Sequence, residues 1–141
     1  MVLRLQERGF NLNSIQELIA AAERARLRAH EPYSHFKVGA AVETADGQIF
    51  TGCNIENSTY GLTVCAERVA IFKAVSEGHK KFTRIAVATD TEKLTPPCGA
   101  CRQIIWEFCG DIEIILANLK GRTKSYRTRK LFPKPFDHRF L

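Results

Sequence analysis

The sequence predicts an α/β fold in which helices pack on a central β-sheet, and three observations support this. Its hydrophobic patterns follow the order helix, hairpin, helix, strand, helix, strand, strand along 141 residues. Two of the strands, residues 84–89 and 113–117, are short and mostly apolar, as expected of strands buried on both faces. Asp46-Gly47 is a strong hairpin signal between two further strands. Together these features predict a layered domain whose sheet is covered by helices.

The first helix begins at a capping signal and ends before a proline. Ser14 and Glu17 have the spacing of a capping box, and apolar side chains then recur at helical intervals. Because Pro32 disfavours helical geometry in the residue before it, the helix is predicted to end at about His30. The hairpin comes next, with strands at residues 37–43 and 48–53.

Two more helices and three more strands complete the predicted fold. The helices span residues 64–77 and 98–109, and the strands span residues 84–89, 113–117 and 123–127. Gly78 and Gly110 suit the helix ends, since glycine readily adopts the backbone conformation found after a helix. Pro96 and Pro97 suit the start of the third helix, where an amide hydrogen would have no helical partner. An aromatic, proline-broken segment at residues 131–136 comes after the last strand.

Length and composition indicate a single domain spanning residues 1–141, of which we expect residues 1–12 to be flexible. Apolar residues make up 45% of the chain, a value that argues against disorder. No apolar run approaches a membrane span, and the first residues lack the apolar stretch of a secretory signal. The odd number of cysteines, five, disfavours a disulfide framework. We therefore expect a cytoplasmic protein without a membrane partner, in which Cys53 and Cys109 are small buried residues.

Three cysteines and a glutamate have the pattern of a catalytic zinc site. Cys65 and Glu67 lie two residues apart, and Cys98 and Cys101 come after a pair of prolines. A structural zinc site usually takes four protein ligands, whereas three thiolates leave one position open for water. Both groups of cysteines are expected in the first turn of a helix, whose positive end favours thiolate over thiol. A structural site is the alternative, but it provides no suitably spaced fourth ligand and no role for Glu67.

The positive charge of the chain is concentrated in its C-terminal segment. Residues 120–141 carry eight basic side chains and one acid, whereas residues 1–119 carry 13 basic and 14 acidic ones. A basic segment can bind nucleic acid, and it can also be a solvated surface or part of a subunit contact. We favour the last two interpretations, because the basic residues lie partly on a strand and partly on a proline-broken tail.

The motifs and their surroundings resemble the small, homotetrameric cytidine deaminases. The resemblance runs from about residue 14 to residue 136. It is carried by Tyr33-Ser34-His35-Phe36-Lys37-Val38-Gly39-Ala40-Ala41, Gly52-Cys53-Asn54-Ile55-Glu56-Asn57-Ser58-Thr59-Tyr60, Cys65-Ala66-Glu67-Arg68 and Pro97-Cys98-Gly99-Ala100-Cys101-Arg102-Gln103. It implies a three-layer domain with a five-stranded mixed sheet flanked by helices. It also implies a homotetramer with shared active sites, in which residues 129–141 lie at a subunit interface.

The resemblance implies a role for each residue of the zinc site. The ligands of one Zn²⁺ per subunit are Cys65, Cys98 and Cys101, and Glu67 is the catalytic proton carrier. Arg68 offsets the negative charge of the three thiolates. Apart from the resemblance, Arg102 or Gln103, next to Cys101, is a further group available to offset this charge.

The resemblance also implies a set of substrate-binding residues, namely Phe36, Asn54, Glu56, Tyr60, Ala66 and Phe136. Phe36 packs against the pyrimidine ring, whereas Phe136 reaches the active site of a neighbouring subunit. Asn54 and Glu56 bind the ribose 3′-hydroxyl. Their spacing is suitable, because side chains two apart at the end of a strand point the same way.

The implied activity is hydrolysis of cytidine and 2′-deoxycytidine to uridine and 2′-deoxyuridine with release of ammonia, a reaction of pyrimidine salvage. Zinc lowers the pKa of a bound water toward ~7. Glu67 accepts that proton, delivers a proton to N3 of cytosine and assists the departure of ammonia.

Three alternatives to this activity are considered. A deaminase of a cytosine nucleoside analogue such as blasticidin S also has a Cys-Ala-Glu site, a polynucleotide deaminase would use the basic segment, and a non-enzymatic zinc module would bind nucleic acid. Asn54 and Glu56 disfavour a polymer, because a pocket closed around a free 3′-hydroxyl leaves no room for the next phosphate. We therefore expect a nucleoside substrate and no nucleic acid polymer as a partner.

Overall fold

The computed structural model describes residues 13–141 and shows helices and strands in the predicted order. The helices are α1 (Ile15–Arg26), α2 (Ala66–Ser76), α3 (Gly99–Cys109) and the four-residue α4 (Thr128–Leu131), with 3₁₀ turns at Tyr60–Leu62 and His138–Phe140. The strands are β1 (Val38–Thr44), β2 (Ile49–Cys53), β3 (Phe82–Thr89), β4 (Glu113–Asn118) and β5 (Thr123–Arg127). The predicted flexibility of residues 1–12 lies outside the described residues, among which no helix is long and apolar enough to cross a membrane.

The five strands form one mixed sheet in the order β2-β1-β3-β4-β5. β1 pairs antiparallel with both β2 and β3, β3 and β4 are parallel, and β5 pairs antiparallel with β4. The five-stranded mixed sheet implied by the family resemblance is thus confirmed. Because β3 and β4 run parallel, the segments after them leave the sheet at the same edge.

Side chains of the sheet alternate between two apolar cores on its opposite faces. Along β3, Ile85 and Val87 belong to the core that contains α2 and α3 residues, whereas Ala86 and Ala88 belong to the core formed with α1. This alternation results from the period of two in a β-strand. The domain therefore has three layers, with α1 on one face of the sheet and α2 with α3 on the other.

Two glycines allow the helices to approach the sheet closely. A Cβ atom at Gly39 would lie 1.9 Å from the carbonyl oxygen of Ala22 in α1. A Cβ atom at Gly52 would lie 2.5 Å from the carbonyl oxygen of Ala66, the first residue of α2. Because both obstacles are backbone atoms, a side chain at either position would push a helix away from the sheet.

Helix α1 ends earlier than the sequence predicts, at Arg26 instead of about His30. The backbone of His30 pairs with the chain beyond β2, where its amide donates to the carbonyl of Asn54 and its carbonyl accepts from the amide of Glu56. These contacts require an extended backbone at His30, so tertiary pairing ends the helix before Pro32 would. The same contacts place the segment after α1 beside Asn54 and Glu56.

A buried ion pair fastens the start of α1 to the sheet. The Glu43 side chain in β1 is fully buried and accepts hydrogen bonds from Thr83, Arg84 and Asn13. Burial by itself would raise the pKa of Glu43, but these hydrogen bonds, above all that from Arg84, hold the pKa below its ordinary value. Glu43 is therefore a buried carboxylate whose charge is compensated by its neighbours.

Candidate active site

The three predicted zinc ligands converge where α2 and α3 begin. Cys65 and Cys98 are the N-cap residues of these helices, and Cys101 lies in the first turn of α3. Their sulfur atoms all lie within 4.8 Å of one another, and the Sγ atoms of Cys65 and Cys98 are 3.9 Å apart. Thiolates on one tetrahedral Zn²⁺, with Zn–S bonds of about 2.3 Å, lie about 3.8 Å apart. The cluster therefore fits one Zn²⁺ per subunit, with three protein ligands.

Charge around the sulfurs favours a thiolate at Cys65. A hydrogen bond from the Cys101 thiol lowers the pKa of Cys65 to about 5, and Arg68 acts in the same direction against the effect of burial. The Nη2 atom of Arg68 lies 3.3 Å from the Cys65 sulfur. In the metal-free cluster the pKa of Cys101 is raised, because its thiol donates that hydrogen bond and is buried; a metal ion displaces this proton when it binds. Both helix N-termini also direct their positive ends toward the sulfurs.

Glu67 lies beside the sulfurs in the first turn of α2. Its side chain is buried, with only 4% of the residue exposed. Burial raises the pKa of Glu67 to about 7, and the negative charge of Cys65 adds to this effect. A carboxyl group with a pKa close to neutrality can both accept and donate a proton under physiological conditions. The site thus combines three potential metal ligands with a proton-transfer group.

A cavity of about 290 Å³ opens above these residues. Its lining includes five of the residues assigned to the substrate or to catalysis by sequence, namely Phe36, Asn54, Glu56, Ala66 and Glu67. It also includes the ligands Cys65 and Cys98. The structure therefore brings together, in one cavity, residues that are up to 64 positions apart in the sequence, from Ser34 to Cys98.

Asn54 bonds the backbone that leads into β1, and it lines the cavity. The amide is largely buried, with its Oδ1 atom accepting from the Val38 amide at 2.9 Å and its Nδ2 atom donating to the Phe36 carbonyl at 2.7 Å. These bonds fix the backbone between Phe36 and Val38, whose side chains line the same cavity. One donor and one acceptor position of the Asn54 amide remain for a ligand.

Glu56 is held by the turn that precedes β1. Its carboxylate accepts hydrogen bonds from the amides of Tyr33 and Ser34, at 3.0 and 3.1 Å, and from the Ser34 hydroxyl. The bond from the Ser34 hydroxyl is the largest of the effects that lower the pKa of Glu56. Glu56 is therefore a fixed carboxylate at the mouth of the cavity.

Five of the predicted site residues do not line this cavity: Cys101 and Arg68 belong to the sulfur cluster, and Tyr60, Phe136 and Gln103 contact other parts of the chain. Tyr60 is 74% exposed and packs edge-to-face on Tyr33 beside a neighbouring depression. Phe136 is 59% exposed and stacks on Phe140, with ring centroids 5.7 Å apart. The Nε2 atom of Gln103 donates to the Phe136 carbonyl at 2.9 Å, so this amide is bonded to the C-terminal segment and not to a sulfur.

Other cavity residues were not singled out by sequence reasoning. Ser34 lies in a segment that carries the family resemblance, which was the available signal, and in the structure its hydroxyl donates to Glu56. Thr95 and Pro96, on the connection before α3, line the wall near Cys98. Thr63 also lines the cavity, and no feature of the sequence around it indicates this.

The fold and the site together define a zinc-dependent deaminase domain. Residues 12–117 match the family model of the cytidine and deoxycytidylate deaminase zinc-binding region. The cytidine deaminase of Sporosarcina psychrophila is 52% identical over 124 residues, which cover 87% of this chain and 91% of that protein. The probable cytidine deaminase of Dictyostelium discoideum is 48% identical over 132 residues, covering 93% and 89%. The chain belongs to the cytidine and deoxycytidylate deaminase family.

A solved structure agrees with this assignment. The crystal structure of cytidine deaminase from Burkholderia pseudomallei has a TM-score of 0.86 and 44% identity, and covers 88% of this chain and 100% of that one. A blasticidin-S deaminase from Bacillus cereus is more distant, at 31% identity over 125 residues, covering 83% of this chain and 88% of that protein.

Proposed function

We propose that the protein is a cytidine deaminase, which hydrolyses cytidine and 2′-deoxycytidine to uridine and 2′-deoxyuridine with release of ammonia. The observation that carries this proposal is the buried Glu67 beside three converging cysteine sulfurs, at the base of a cavity lined by Asn54 and Glu56. Relatives named cytidine deaminases, close to 50% identical over most of the chain, support the same conclusion.

The three cysteines hold Zn²⁺, which supplies a water of lowered pKa, ~7 in well-tuned sites. Glu67 accepts a proton from the attacking water and delivers a proton to N3, as C4 gains an oxygen and electron density moves into the ring. Glu67 then takes the remaining proton of the attacking oxygen and delivers it to the amino group, so that the C4–N bond breaks, ammonia departs and C4 keeps the oxygen as a carbonyl. Burial suits Glu67 to this work, because a pKa of about 7 makes both its protonation states accessible.

Arg68 sets the charge balance of the site. Three thiolates and Zn²⁺ carry a net charge of about −1, which opposes loss of a proton from the water. The guanidinium of Arg68 donates to the Cys65 sulfur and withdraws part of that negative charge. We assign Arg68 as a positioning and charge-balancing residue.

The nucleoside lies in the cavity with its base toward Glu67 and its sugar toward Asn54 and Glu56. The exposed edge of Phe36 packs on the pyrimidine, and the backbone at Ala66, the start of α2, borders the base. The fixed carboxylate of Glu56 and the remaining hydrogen-bonding positions of Asn54 bind the 3′-hydroxyl. A bound 3′-hydroxyl excludes a further nucleotide, so the substrate is a free nucleoside.

The basic C-terminal segment supports the exclusion of polymers. Several of its cations are engaged within the chain: Lys120 pairs with Glu92 at 2.6 Å, and Arg139 pairs with Asp137 at 2.8 Å. The guanidinium of Arg129 lies 4.6 Å from the centroid of the Trp106 ring. These contacts indicate that much of the positive charge serves the fold of the segment.

We further propose one domain per chain and a cytoplasmic homotetramer in which active sites are shared. Exposed aromatic and aliphatic side chains support an assembly, because a monomer would leave them in contact with water; they include Tyr60, Leu62, Phe136, Phe140 and Leu141. In this assembly Tyr60 and Phe136, which lie outside the cavity of their own chain, contribute to a site through a subunit contact. We assign the reaction to pyrimidine salvage.

Substrate identity is tested by steady-state assays of the zinc-loaded protein with cytidine, 2′-deoxycytidine, blasticidin S and single-stranded DNA. We expect turnover of the first two, with equimolar ammonia and uridine or deoxyuridine. Exclusive turnover of blasticidin S would favour the nucleoside-analogue activity, and turnover of the polymer would refute the proposed role of Asn54 and Glu56.

A further inference from the structure

We propose that Asn118 is a positioning residue of the zinc site, which holds the β3–α3 loop (residues 90–97) so that it presents Cys98 to the metal. Asn118 is the last residue of β4 and pairs in register with Thr89, the last residue of the parallel strand β3. It is almost fully buried, with 2% of its surface exposed, and lines no part of the substrate cavity. Its role is therefore exerted through the loop.

All four hydrogen-bonding positions of the Asn118 amide are occupied. The Nδ2 atom donates to two carbonyls of the β3–α3 loop, those of Thr91 at 3.0 Å and Glu92 at 3.4 Å. The Oδ1 atom accepts from the amides of Lys120 and Arg122, both at 3.0 Å, in the turn before β5. An asparagine alone among residues of this size offers two donors and two acceptor positions on one planar group. Asn118 therefore joins the loop to the β4–β5 turn.

The loop is also fastened at its own ends. The hydroxyl of Thr91 lies 2.9 Å from that of Thr89 in β3 and 3.1 Å from that of Thr95, which lines the substrate cavity. The Nη1 atom of Arg122 donates to the Glu92 carbonyl at 3.1 Å from the opposite side. Thr91 thus bonds the first half of the loop to the sheet, and Thr95 bonds the second half to Thr91. The loop therefore has little freedom to move.

The restraint on the loop is important because the loop leads directly into the metal site. Thr95 and Pro96 form part of the cavity wall, and Cys98 is the next residue but one after Pro96. Groups that orient metal ligands typically contribute 10–100-fold to metal affinity, and Asn118 acts through a short segment of backbone. We expect its loss to loosen Cys98 first and the cavity wall second.

The inference rests on the proposed zinc-dependent function, but its main test needs no substrate. Zinc-loaded parent, Asn118→Ala and Asn118→Asp proteins are mixed with a chromogenic chelator, and the rate of zinc release is measured. Aspartate keeps the shape and the acceptors of Asn118 but lacks the donors to the loop. We expect both variants to release zinc roughly tenfold faster than the parent.

Thr128→Val is the matched control. The Thr128 hydroxyl is fully buried and bonds both the amide and the carbonyl of Ile112, at the opposite end of β4. This variant loses both buried hydrogen bonds of that hydroxyl and is expected to lower Tm about as much as the Asn118 variants do, with zinc release within twofold of the parent. Equal acceleration in Thr128→Val, or release within twofold of the parent in both Asn118 variants, would overturn the proposal.

A second variant covers the case in which the Asn118 proteins do not fold. Thr91→Val removes the contacts of the Thr91 hydroxyl at a residue that does not itself line the cavity, and it should accelerate zinc release about threefold, by the same loosening. Unchanged release in Thr91→Val would contradict the inference. If the variants release zinc faster as expected but the parent protein acts on none of the tested nucleosides, the proposed function alone is refuted.

Discussion

At the scale of single residues, the site depends on side chains whose surroundings set their chemistry. Glu67 has a pKa of about 7 because it is buried beside Cys65, whereas Glu56 remains a carboxylate because Ser34 and Tyr33 donate to it. Two glutamates of the same cavity are thereby suited to different tasks, one to move protons and the other to accept hydrogen bonds. Substitutions at each of these sites separate proton transfer from substrate binding.

Glu67→Gln should abolish most of the turnover while leaving the fold and the zinc content intact. Glutamine keeps the size and a hydrogen-bonding oxygen but accepts no proton, and proton transfer contributes ~10²–10⁴-fold to the rate. The kcat for cytidine, zinc per chain and Tm are measured together. Turnover within tenfold of the parent would remove Glu67 from the mechanism.

Asn54→Ala and Glu56→Ala should weaken use of the ribose 3′-hydroxyl. For the parent we expect kcat/KM to fall on going from cytidine to 3′-deoxycytidine, since a buried polar group left unpaired, here the Asn54 amide, costs ~1–3 kcal/mol. For the variants, kcat/KM should fall little on the same change of substrate, because their contact with the 3′-hydroxyl is already missing. A loss as large in the variants as in the parent would show that these residues do not contact that hydroxyl. Because Asn54 also bonds the backbone at Phe36 and Val38, Tm is recorded for Asn54→Ala as a control.

At the scale of secondary-structure elements, local signals predicted the fold well and tertiary contacts account for the differences. The capping box of Ser14 and Glu17 is present in the structure, and the Asp46-Gly47 turn joins β1 and β2 as predicted. The predicted end of α1 was wrong by about four residues, because His30 is held extended by a segment that is distant in sequence. Helix α4 was not predicted; it begins at Thr128, whose buried bonds to Ile112 no local pattern indicates.

The same distinction applies to the candidate site. Cysteine spacing predicted a metal cluster, because metal ligands are few in type and their spacing on helices is regular. The chain carries no comparable local signal for Thr63 or Asn118, whose positions arise only when strands and loops assemble. Residues that define chemistry are therefore easier to find from sequence than residues that define shape.

The buried pair that fastens α1 predicts a pH-dependent stability. Because the pKa of Glu43 is lower in the folded protein than in the unfolded chain, its contribution is complete above the unfolded value, ~4.3, and is lost as pH falls through the folded value. Glu43→Gln should be less stable than the parent at pH 7, by roughly 3–5 kcal/mol, since Arg84 loses its charged partner.

Urea unfolding of both proteins between pH 7 and pH 3 measures this difference. The difference in free energy of unfolding between the parent and Glu43→Gln should become smaller as pH falls. Taking this difference removes any effect of acid that the two proteins share. Glu107→Gln, at an exposed position of α3, serves as a control and should behave like the parent. A gap that stays constant over this range would show that the charge of Glu43 does not contribute to stability.

At the scale of the whole molecule, the proposed assembly brings a residue of one chain to the active site of a neighbouring chain. Phe136 lies outside the cavity of its own chain, on a segment that Gln103 and Trp106 of α3 hold through the Phe136 carbonyl and the Asp137 carboxylate. The segment is therefore firmly attached to the chain that carries it, while its aromatic rings remain exposed. Such an arrangement suits a residue that acts on a neighbouring subunit.

Mixing two inactive chains tests this sharing of sites. Glu67→Gln lacks the proton carrier, and a chain truncated before Phe136 lacks the ring; each alone should show little activity. Co-refolding should restore part of the activity, because some sites receive Glu67 from one chain and Phe136 from the other. Light scattering reports the oligomeric state, with a tetramer expected. Hetero-oligomers that form without any recovery of activity, or a monomeric parent, would refute shared sites.

The position of the sulfur ligands at two helix starts also affects the unfolded chain. Cys65 and Cys98 are 33 residues apart, and the segment between them contains all of α2 and β3. A metal that bonds both residues closes this segment into a ring. For a covalent link of this span, the lost freedom of the unfolded chain corresponds to about 4 kcal/mol. The zinc ion thus acts as a cross-link between the two helix starts. Its removal increases the conformational freedom of the unfolded chain and lowers the melting temperature even where no substrate is present.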